Sequence, residues 1–261
     1  MEAQTHDIFD PRSARVGIII LGAGEGKRMQ SEGVPKVLMP LHGKPMISYL
    51  LETLHKVHAD QHPIIVVGYQ AEKVKAALGD GYLYAFQAQQ LGTGHAVMQA
   101  REIANGSYDH IVVLYGDQPY TTAEVVNELI ETHLRERATL TFMTIKVPDF
   151  DGWRAGLFYF SRVIRDAAGK ILRTVERKDA TETELEIKEL NPAYFCFRAD
   201  WLWEQLPKLE NKNVQSEFYL TDLLEVATRT GEVVASFEGD PIAALGANTR
   251  SDLELLEQVK Q

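Results

Sequence analysis

The sequence predicts an α/β fold: a Rossmann-like, mostly parallel mixed sheet covered by helices, with a smaller mixed α+β lobe. Continuously apolar runs alternate with segments of helical periodicity as far as residue 148, which is typical of parallel strands buried on both faces. After residue 148 the apolar runs are shorter, and a hairpin signal appears at 166–169, which indicates the lobe. In such a sheet a ligand site is expected at the carboxyl ends of the strands.

The core elements follow from these apolar runs in chain order. Residue ranges predicted as strands are 16–21, 63–67, 82–87, 110–115 and 139–147. Helical spacing of apolar residues predicts helices at 46–55, 71–78, 92–104 and 122–137, the last with a Thr cap signal. The first and fourth strands both end in loops of unusual composition, so these two loops are the first candidates for a site.

The second half of the chain predicts a less regular unit. Hairpin strands are predicted at 162–165 and 170–175, a further strand at 191–197, and helices at 221–230 and 250–259. We predict a flexible arm at 1–14 and one domain at 15–261. Within that domain, 15–148 would be the core, 149–240 mainly the smaller lobe, and 241–261 a return to the core.

Composition excludes several classes of protein. The net charge of -10 argues against nucleic-acid partners, which require clustered Lys and Arg. A single cysteine, Cys196, allows no internal disulfide and no cysteine-based zinc site. The apolar runs are too short to span a membrane, and the first fifteen residues lack the apolar stretch of a signal peptide, so we expect a cytoplasmic protein without a membrane partner. The oligomeric state does not follow from the sequence.

A glycine-rich basic loop at 22–29 follows the first strand directly. Glycines let the backbone approach an anion, and an adjacent Arg can grip phosphate oxygens. A Walker loop is rejected because Arg28 stands where Ser or Thr is required, and the dinucleotide fingerprint is weak because Lys27 stands where its third Gly belongs. A tight surface turn with incidental basic residues remains the alternative for the loop alone.

Seven motifs in one order resolve this alternative. They occupy 21–29 with 35–38, then 87–96, 115–119, 175–180, 189–191, 217–222 and 246–248. Together they resemble the uridylyltransferase (pyrophosphorylase) domain of bacterial N-acetylglucosamine-1-phosphate uridylyltransferases, over about residues 16–259. Hexapeptide repeats are not seen in the sequence, so the C-terminal acetyltransferase β-helix of the bifunctional enzymes is not expected.

The resemblance implies Mg²⁺-dependent transfer of a uridylyl group from UTP to N-acetylglucosamine 1-phosphate, with release of pyrophosphate. The attacking phosphate monoester is already an anion at neutral pH, since its second pKa is about 6, so no general base is required. Catalysis then consists of alignment and charge neutralisation. The resemblance assigns this work to Arg28, Lys36 and Asp117, and the Mg²⁺ to Asp117 with Asn248.

The resemblance also implies two sets of binding residues. Nucleotide-binding residues would be Leu21, Gly22, Ala23, Gly24, Gly26, Gln87, Gln90, Gly92, Thr93 and Gly116. Sugar-binding residues would be Tyr115, Ser161, Glu176, Asn191, Tyr219 and Thr221. Without the resemblance, Asp117 would be read as a turn residue after a strand and the others as ordinary strand-end or cap residues.

Four departures from the family pattern leave the acceptor sugar open. Lys27 stands where the family usually has Thr, Gly22 where Ala is common, and Ser161 where a Gly contacts the sugar, and 152–158 is an apparent insertion. Two alternatives therefore remain: a uridylyltransferase for another sugar 1-phosphate such as glucose 1-phosphate, and a non-catalytic nucleotide-sugar sensor.

Overall fold

The computed structural model describes residues 14–29 and 33–259. The predicted arm at 1–14 lies outside the described residues apart from Ala14, and the side chain of Lys27 also lies outside them. The strands are β1 (Val16–Leu21), β2 (Pro40–Leu41), β3 (Lys44–Pro45), β4 (Ile64–Val67), β5 (Leu83–Phe86), β6 (His110–Tyr115), β7 (Leu140–Lys146), β8 (Ser161–Arg165), β9 (Ile171–Val175), β10 (Glu189–Asn191), β11 (Phe195–Arg198) and β12 (Val234–Glu238). The helices are α1 (Met46–Leu54), α2 (Ala71–Leu78), α3 (Thr93–Gln99), α4 (Arg101–Ala104), α5 (Ala123–Arg135), α6 (Glu182–Leu185), α7 (Ala199–Gln205), α8 (Asp222–Thr230) and α9 (Arg250–Gln258).

Four parallel strands form the half of the main sheet that carries the glycine loop, in the order β5-β4-β1-β6. Every residue of β1 and β4 is buried, because helices cover both faces. Ile18 and Ile20 pack into one apolar cluster, whereas Ile19 and Leu21 pack into the cluster on the opposite face. The continuous apolar runs thus arise from burial on two sides, as predicted.

The other half of the sheet is mixed. β11 lies antiparallel between β6 and β7, and β10, β8 and β9 extend the sheet in antiparallel pairs. β12 runs parallel to β7, along the edge of β7 that faces away from β10 and β11. Helices flank this mixed sheet, which confirms the predicted fold class. The lobe boundaries at 149–240 stay a prediction, but β11 and β12 fall within that range and belong to the main sheet.

The prediction of one continuous strand at 191–197 is wrong. β10 ends at Asn191 and β11 begins at Phe195, and both lie along β7. Pro192 has no N–H to give to the ladder, and Ala193 adopts a φ of 69°, so the intervening backbone leaves the sheet. The interruption brings Asn191 to the edge of a cavity described below.

Other boundaries differ by a few residues. The helix predicted at 92–104 is divided into α3 and α4 at Ala100. Thr122 caps α5 through its side chain, which agrees with the Thr cap signal. The sequence patterns gave no bounds for α7, and they missed β12 and a 3₁₀ segment at Gly152–Tyr159. Among the described helices, none combines the length and apolar composition that a membrane crossing requires.

A buried histidine pair joins α5 to the sheet. His133 is fully buried, with Nδ1 2.9 Å from Oγ1 of Thr141 and Nε2 3.0 Å from Nδ1 of His110. Burial, with smaller contributions from nearby His110 and Arg198, lowers the pKa of His133 to about 3. Burial also lowers the pKa of His110, against the raising effect of Asp109 and Asp200.

These shifts predict acid instability. An unfolded His has a pKa of about 6.5, so the unfolded chain binds more protons than the folded one below that pH. The contribution of neutral His133 to the free energy of unfolding is therefore fully present above pH ~6.5, and it is lost as the pH falls towards 3. Between pH 7 and pH 4.5 we expect His133 to reduce the free energy of unfolding by about 2 kcal/mol.

Urea unfolding of wild type and His133→Gln at both pH values measures this effect. The variant has no imidazole to protonate, so its stability should fall less between pH 7 and pH 4.5 than that of wild type. His58→Gln, on the exposed surface, is the matched control and should behave as wild type. An equal loss in all three proteins would contradict the prediction.

Candidate active site

Two adjoining cavities lie at the carboxyl ends of β1 and β6, whose last residues, Leu21 and Tyr115, are paired in the sheet. The first cavity has a volume of about 220 Å³ and is lined by Leu21, Gly22, Ala23, Gly24, Lys36, Val37, Gln87, Gln90, Gly92, Thr93, Ala96, Tyr115, Asp117 and Glu217. The second has a volume of about 250 Å³ and is lined by Thr93, Tyr115, Asp117, Gln118, Tyr159, Phe160, Ser161, Glu176, Asn191, Pro192, Ala193, Gln215, Glu217, Tyr219, Thr221, Gly246 and Asn248. The predicted nucleotide residues other than Gly26 and Gly116 line the first cavity, and all the predicted sugar residues line the second.

The glycine loop uses its glycines in different ways. The amide of Gly22 donates to the carbonyl of Val66 at 2.9 Å, which holds the start of the loop on β4. A Cβ at Gly24 would meet no atom within 4 Å, so backbone there is open to a ligand. Gly26 has a φ of 70°, and a Cβ on it would lie 3.0 Å from Cβ of Lys36. Gly26 therefore packs the loop against the stem of Lys36.

Lys36 stands between the two predicted metal ligands. Its Nζ contacts the Asp117 carboxylate, and it donates to Oδ1 of Asn248 at 2.7 Å. Arg28 reaches the same amide oxygen, with Nη2 at 3.5 Å. The structure thus brings together all four residues to which sequence reasoning assigned charge chemistry.

Asn248 is held at Asp117 by the turn before α9. The amide of Ala247 donates to the carbonyl of Asp117 at 3.1 Å, and a Cβ on Gly246 would lie 2.9 Å from that same oxygen. On the other side, Oδ2 of Asp252 accepts from the amides of Asn248 and Thr249 at 2.9 and 2.8 Å. The capping box of α9 therefore fixes the backbone from which the Asn248 side chain extends.

The donor set at Asp117 and Asn248 fits Mg²⁺. One carboxylate and one amide oxygen already converge on a single cation, the Lys36 ammonium, and these are the hard oxygen ligands that Mg²⁺ takes. Within 14–29 and 33–259 no group of three His, Cys, Asp or Glu side chains could hold a metal. Two protein ligands match an ion that keeps waters and binds through substrate phosphates.

Gln87 lies in the wall of the first cavity and is 4% exposed. Its Nε2 donates to the carbonyl of Gly92 at 3.2 Å and lies 3.0 Å from Nδ1 of His95. Gln90 donates to the carbonyl of Ala23 at 2.8 Å, which ties the glycine loop to the loop after β5.

Gly92 and Gly116 are required by packing. Gly92 has a φ of 109°, and a Cβ on it would lie 2.6 Å from the carbonyl oxygen of Phe218. A Cβ on Gly116 would lie 3.1 Å from Val37 and 3.2 Å from Ile47, and Gly116 does not line either cavity. The resemblance gives both residues to the nucleotide, whereas the geometry explains each by close contact with neighbouring protein atoms.

The second cavity is walled by polar side chains from β8 and β10, from the residue that follows β9, and from the segment before α8. Oγ1 of Thr221 donates to Oε1 of Glu176 at 2.9 Å. Asn191 is 1% exposed and its Nδ2 has no hydrogen-bond partner among the described residues. Ser161 lies beside it in the β8–β10 pair and donates to its carbonyl at 3.4 Å. Ser161 therefore supports the strand that presents Asn191.

Burial shifts the acid groups of this cavity. It raises the pKa of Glu176 to about 7, with nearby Asp222 and Asp179 adding to the shift and the bond from Thr221 opposing it. Burial likewise raises the pKa of Asp222, which does not line this cavity, to about 6, with Glu225 and Asp179 adding to the shift. The pKa of Tyr115 is also raised by burial. At neutral pH a carboxyl with a pKa of about 7 is only partly ionised, so Glu176 carries less negative charge than an ordinary glutamate.

Several residues that line the site were assigned no role from the sequence, among them Glu217 and Gln118. Glu217 lines both cavities, and Gln118 lines the second. Both fall inside motifs that were recognised, at 217–222 and 115–119, but neither residue was assigned a role. Their positions in those motifs were the only available signal.

Comparison with known proteins gives a family match over nearly the whole chain. The family model of the MobA-like NTP transferase domain matches residues 18–258. The bifunctional protein GlmU of Enterococcus faecalis is 39% identical over 242 residues, which are 92% of this chain and 51% of that protein. The bifunctional protein GlmU of Brevibacillus brevis is 37% identical over 245 residues, or 94% of this chain and 51% of that protein. The bifunctional protein GlmU of Acetivibrio thermocellus is 38% identical over 236 residues, which are 90% of this chain and 49% of that protein.

The chain thus spans about half the length of these three curated relatives. The matches confirm the resemblance that the seven motifs predict.

Proposed function

This chain belongs to the family of MobA-like NTP transferase domains, and we propose that it is a Mg²⁺-dependent uridylyltransferase that converts UTP and N-acetylglucosamine 1-phosphate into UDP-N-acetylglucosamine and pyrophosphate. The observation that carries the proposal is the convergence of Arg28, Lys36, Asp117 and Asn248 where two cavities meet. In this proposal the first cavity takes the nucleotide and the second takes the sugar phosphate.

The reaction joins a phosphate oxygen of the sugar phosphate to the α-phosphorus of the nucleotide, and the bond to the β-phosphate oxygen breaks. The nucleophile is already ionised, so the site needs positive charge and alignment rather than a base. Lys36 and Arg28 supply positive charge near the shared wall of the two cavities. Asp117 and Asn248 would hold Mg²⁺, which supplies further neutralisation of phosphate charge when it is bound.

The orientation of Gln87 supports a uracil base. The amide nitrogen is directed to Gly92 and His95, so Oε1 is the atom left to accept a hydrogen bond. The imide N–H of uracil is a donor for such an oxygen. The corresponding ring nitrogen of cytosine has a lone pair instead, so this orientation disfavours cytosine.

The second cavity supports a sugar with several hydroxyl groups. Asn191 has a buried donor for which 14–29 and 33–259 provide no partner. Burying such a donor costs about 1–3 kcal/mol, and this cost is offset if a ligand accepts a hydrogen bond from it. Glu176 and Thr221, which are hydrogen-bonded to each other, add further polar oxygens to the same wall. Polar side chains of this kind suit the hydroxyl and acetamido groups of a sugar.

A panel assay tests the proposal. Purified protein with Mg²⁺ is given each of the four nucleoside triphosphates and several sugar 1-phosphates, and pyrophosphate release is followed. We expect turnover with UTP and N-acetylglucosamine 1-phosphate at a kcat/KM at least about tenfold above any other pair. Equal rates with all nucleotides would contradict the assignment of Gln87.

The same panel decides the acceptor. Ser161 and the 3₁₀ segment Gly152–Tyr159 depart from the family pattern, and Ser161, Tyr159 and Phe160 line the second cavity. These departures favour a second candidate, transfer to another sugar 1-phosphate such as glucose 1-phosphate, which a higher rate with that substrate would establish. Calorimetric binding of UTP and sugar phosphate without turnover under Mg²⁺ would favour the non-catalytic sensor instead.

A further inference from the structure

Gln118 follows Asp117 at the carboxyl end of β6, and the proposed reaction assigns it no role. Its side chain is 4% exposed and lines the second cavity, together with Asn191 and Asn248. A buried amide at this position is costly unless each of its polar atoms finds a partner.

The orientation of the Gln118 amide is fixed by one unambiguous partner. Nε2 donates to the carbonyl oxygen of Pro192 at 3.0 Å, and a carbonyl can only accept. The nitrogen must therefore face Pro192, and Oε1 must point elsewhere. Oε1 is buried and has no hydrogen-bond partner among the described residues.

The side chain is also held in place. The carbonyl of Gln118 accepts from Oγ1 of Thr121 at 2.8 Å, and this fixes the backbone. A Cβ added to Gly246 would lie 3.2 Å from Cγ of Gln118, so the side chain packs closely on the turn that presents Asn248. Gln118 cannot easily swing its oxygen out to bulk water.

Asn191 presents the complementary group in the same cavity. Its Oδ1 accepts from the amide of Ala193 at 2.8 Å, so Nδ2 is the atom left over, and it too is buried without a hydrogen-bond partner in the described part of the chain. The residues that carry this acceptor and this donor, Gln118 and Asn191, line the same cavity, and Pro192 links them. A hydroxyl group both donates and accepts, so it satisfies this pair.

We propose that Gln118 is a specificity-determining residue for the acceptor, whose Oε1 accepts a hydrogen bond from a sugar hydroxyl. The same hydroxyl, or its neighbour on the ring, accepts from Nδ2 of Asn191. The inference rests on the proposed function for the identity of the ligand as a sugar 1-phosphate. It goes beyond that function by selecting acceptors with a hydroxyl at one ring position.

Kinetics with deoxy analogues test this contact. Gln118→Leu and wild type are compared on the parent sugar 1-phosphate and on analogues that each lack one hydroxyl. In wild type, the analogue that lacks the hydroxyl bound by Gln118 should have a kcat/KM about tenfold or more below that of the parent sugar 1-phosphate. Without this hydroxyl, Oε1 of Gln118 is left unpaired. In Gln118→Leu the kcat/KM for the parent should fall by about the same factor relative to wild type, while the kcat/KM for that analogue should change little.

The discrimination at that one hydroxyl should therefore disappear in the variant, while the KM for UTP stays within about twofold. A merely structural role would lower kcat/KM for every acceptor alike, and that result overturns the proposal. Unchanged discrimination in Gln118→Leu overturns it as well. Gln205→Leu, at a partly exposed glutamine of α7, is the matched control.

Two further measurements keep the test decisive. If Gln118→Leu does not fold, Gln118→Met retains an unbranched side chain without the amide and is assayed in the same way. If wild type turns over no sugar phosphate, the proposed function fails, and calorimetry with the same analogues then tests Gln118 by binding alone. Equal affinities of wild type and variant for the parent and every analogue would overturn the proposal in that case.

Discussion

Asp117→Asn should reduce kcat/KM by a factor on the order of 10³, because it removes the only carboxylate of the proposed metal pair. Asn keeps the shape of the side chain and can still accept from Lys36, so the fold should be retained. The charge that draws a divalent ion to the site is lost, and with it several kcal/mol of stabilisation of the phosphates. Pyrophosphate release at saturating Mg²⁺ measures the effect, and thermal unfolding checks the fold.

Asp109→Asn is the matched control for this change. Asp109 precedes β6 and Asp117 follows it, so the two carboxylates lie at opposite ends of this strand. Asp109 pairs with exposed Arg15 at 2.7 Å. Losing an exposed ion pair costs at most about 1 kcal/mol of stability, so activity should remain within about twofold of wild type. Retention of more than about a tenth of wild-type activity in Asp117→Asn would refute a metal role for this carboxylate.

Lys36→Met should reduce kcat/KM by about 10²- to 10³-fold, the range found when one pre-organised group that stabilises transition-state charge is removed. Met preserves the apolar stem that packs against Gly26, so the glycine loop should keep its conformation. The loss should appear in kcat as well as in KM for UTP, because charge on the phosphates changes during the reaction. Steady-state kinetics with both substrates separate the two constants.

A second readout of Lys36→Met does not depend on activity. The Lys36 ammonium contacts the oxygens of Asp117 and Asn248 that the proposed divalent ion would use. Without the ammonium, Mg²⁺ alone should raise the melting temperature of the variant at lower concentrations than it does for wild type. Lys75→Met, at a partly exposed residue of α2 paired with Glu72, should match wild type in both measurements. If the melting temperatures of variant and wild type rose over the same range of Mg²⁺ concentration, this result would argue against a shared cation position.

Several features of the site followed from local sequence alone. Apolar runs at 16–21 and 110–115 identified two buried strands with their bounds, because a strand covered on both faces needs apolar residues throughout. The glycine loop and Asp117 follow those strands directly, and parallel strands bring their carboxyl ends to one edge. Their proximity could therefore be predicted without knowing the rest of the fold.

Other features depended on contacts between distant parts of the chain. The break between β10 and β11 was missed because the apolar pattern of 191–197 continues through it, and the left-handed backbone at Ala193 has no local signature. Gly92 and Gly116 could be recognised as constrained positions, but not that Phe218, Val37 and Ile47 impose the constraint. The neighbours of a glycine are set by packing, which periodicity does not encode.

The sequence by itself determined the α/β class, the strand ends that form the site, and the residue types available for phosphate chemistry, since all three are carried by short segments. The tertiary structure alone decided that Lys36 meets Asp117 and Asn248 across separations of 81 and 212 residues. It also decided that one acceptor of Gln118 and one donor of Asn191 find no hydrogen-bond partner in the part of the chain that the structure describes. Both outcomes depend on which partners the fold provides to each polar atom, and these partners come from elements far apart in the chain.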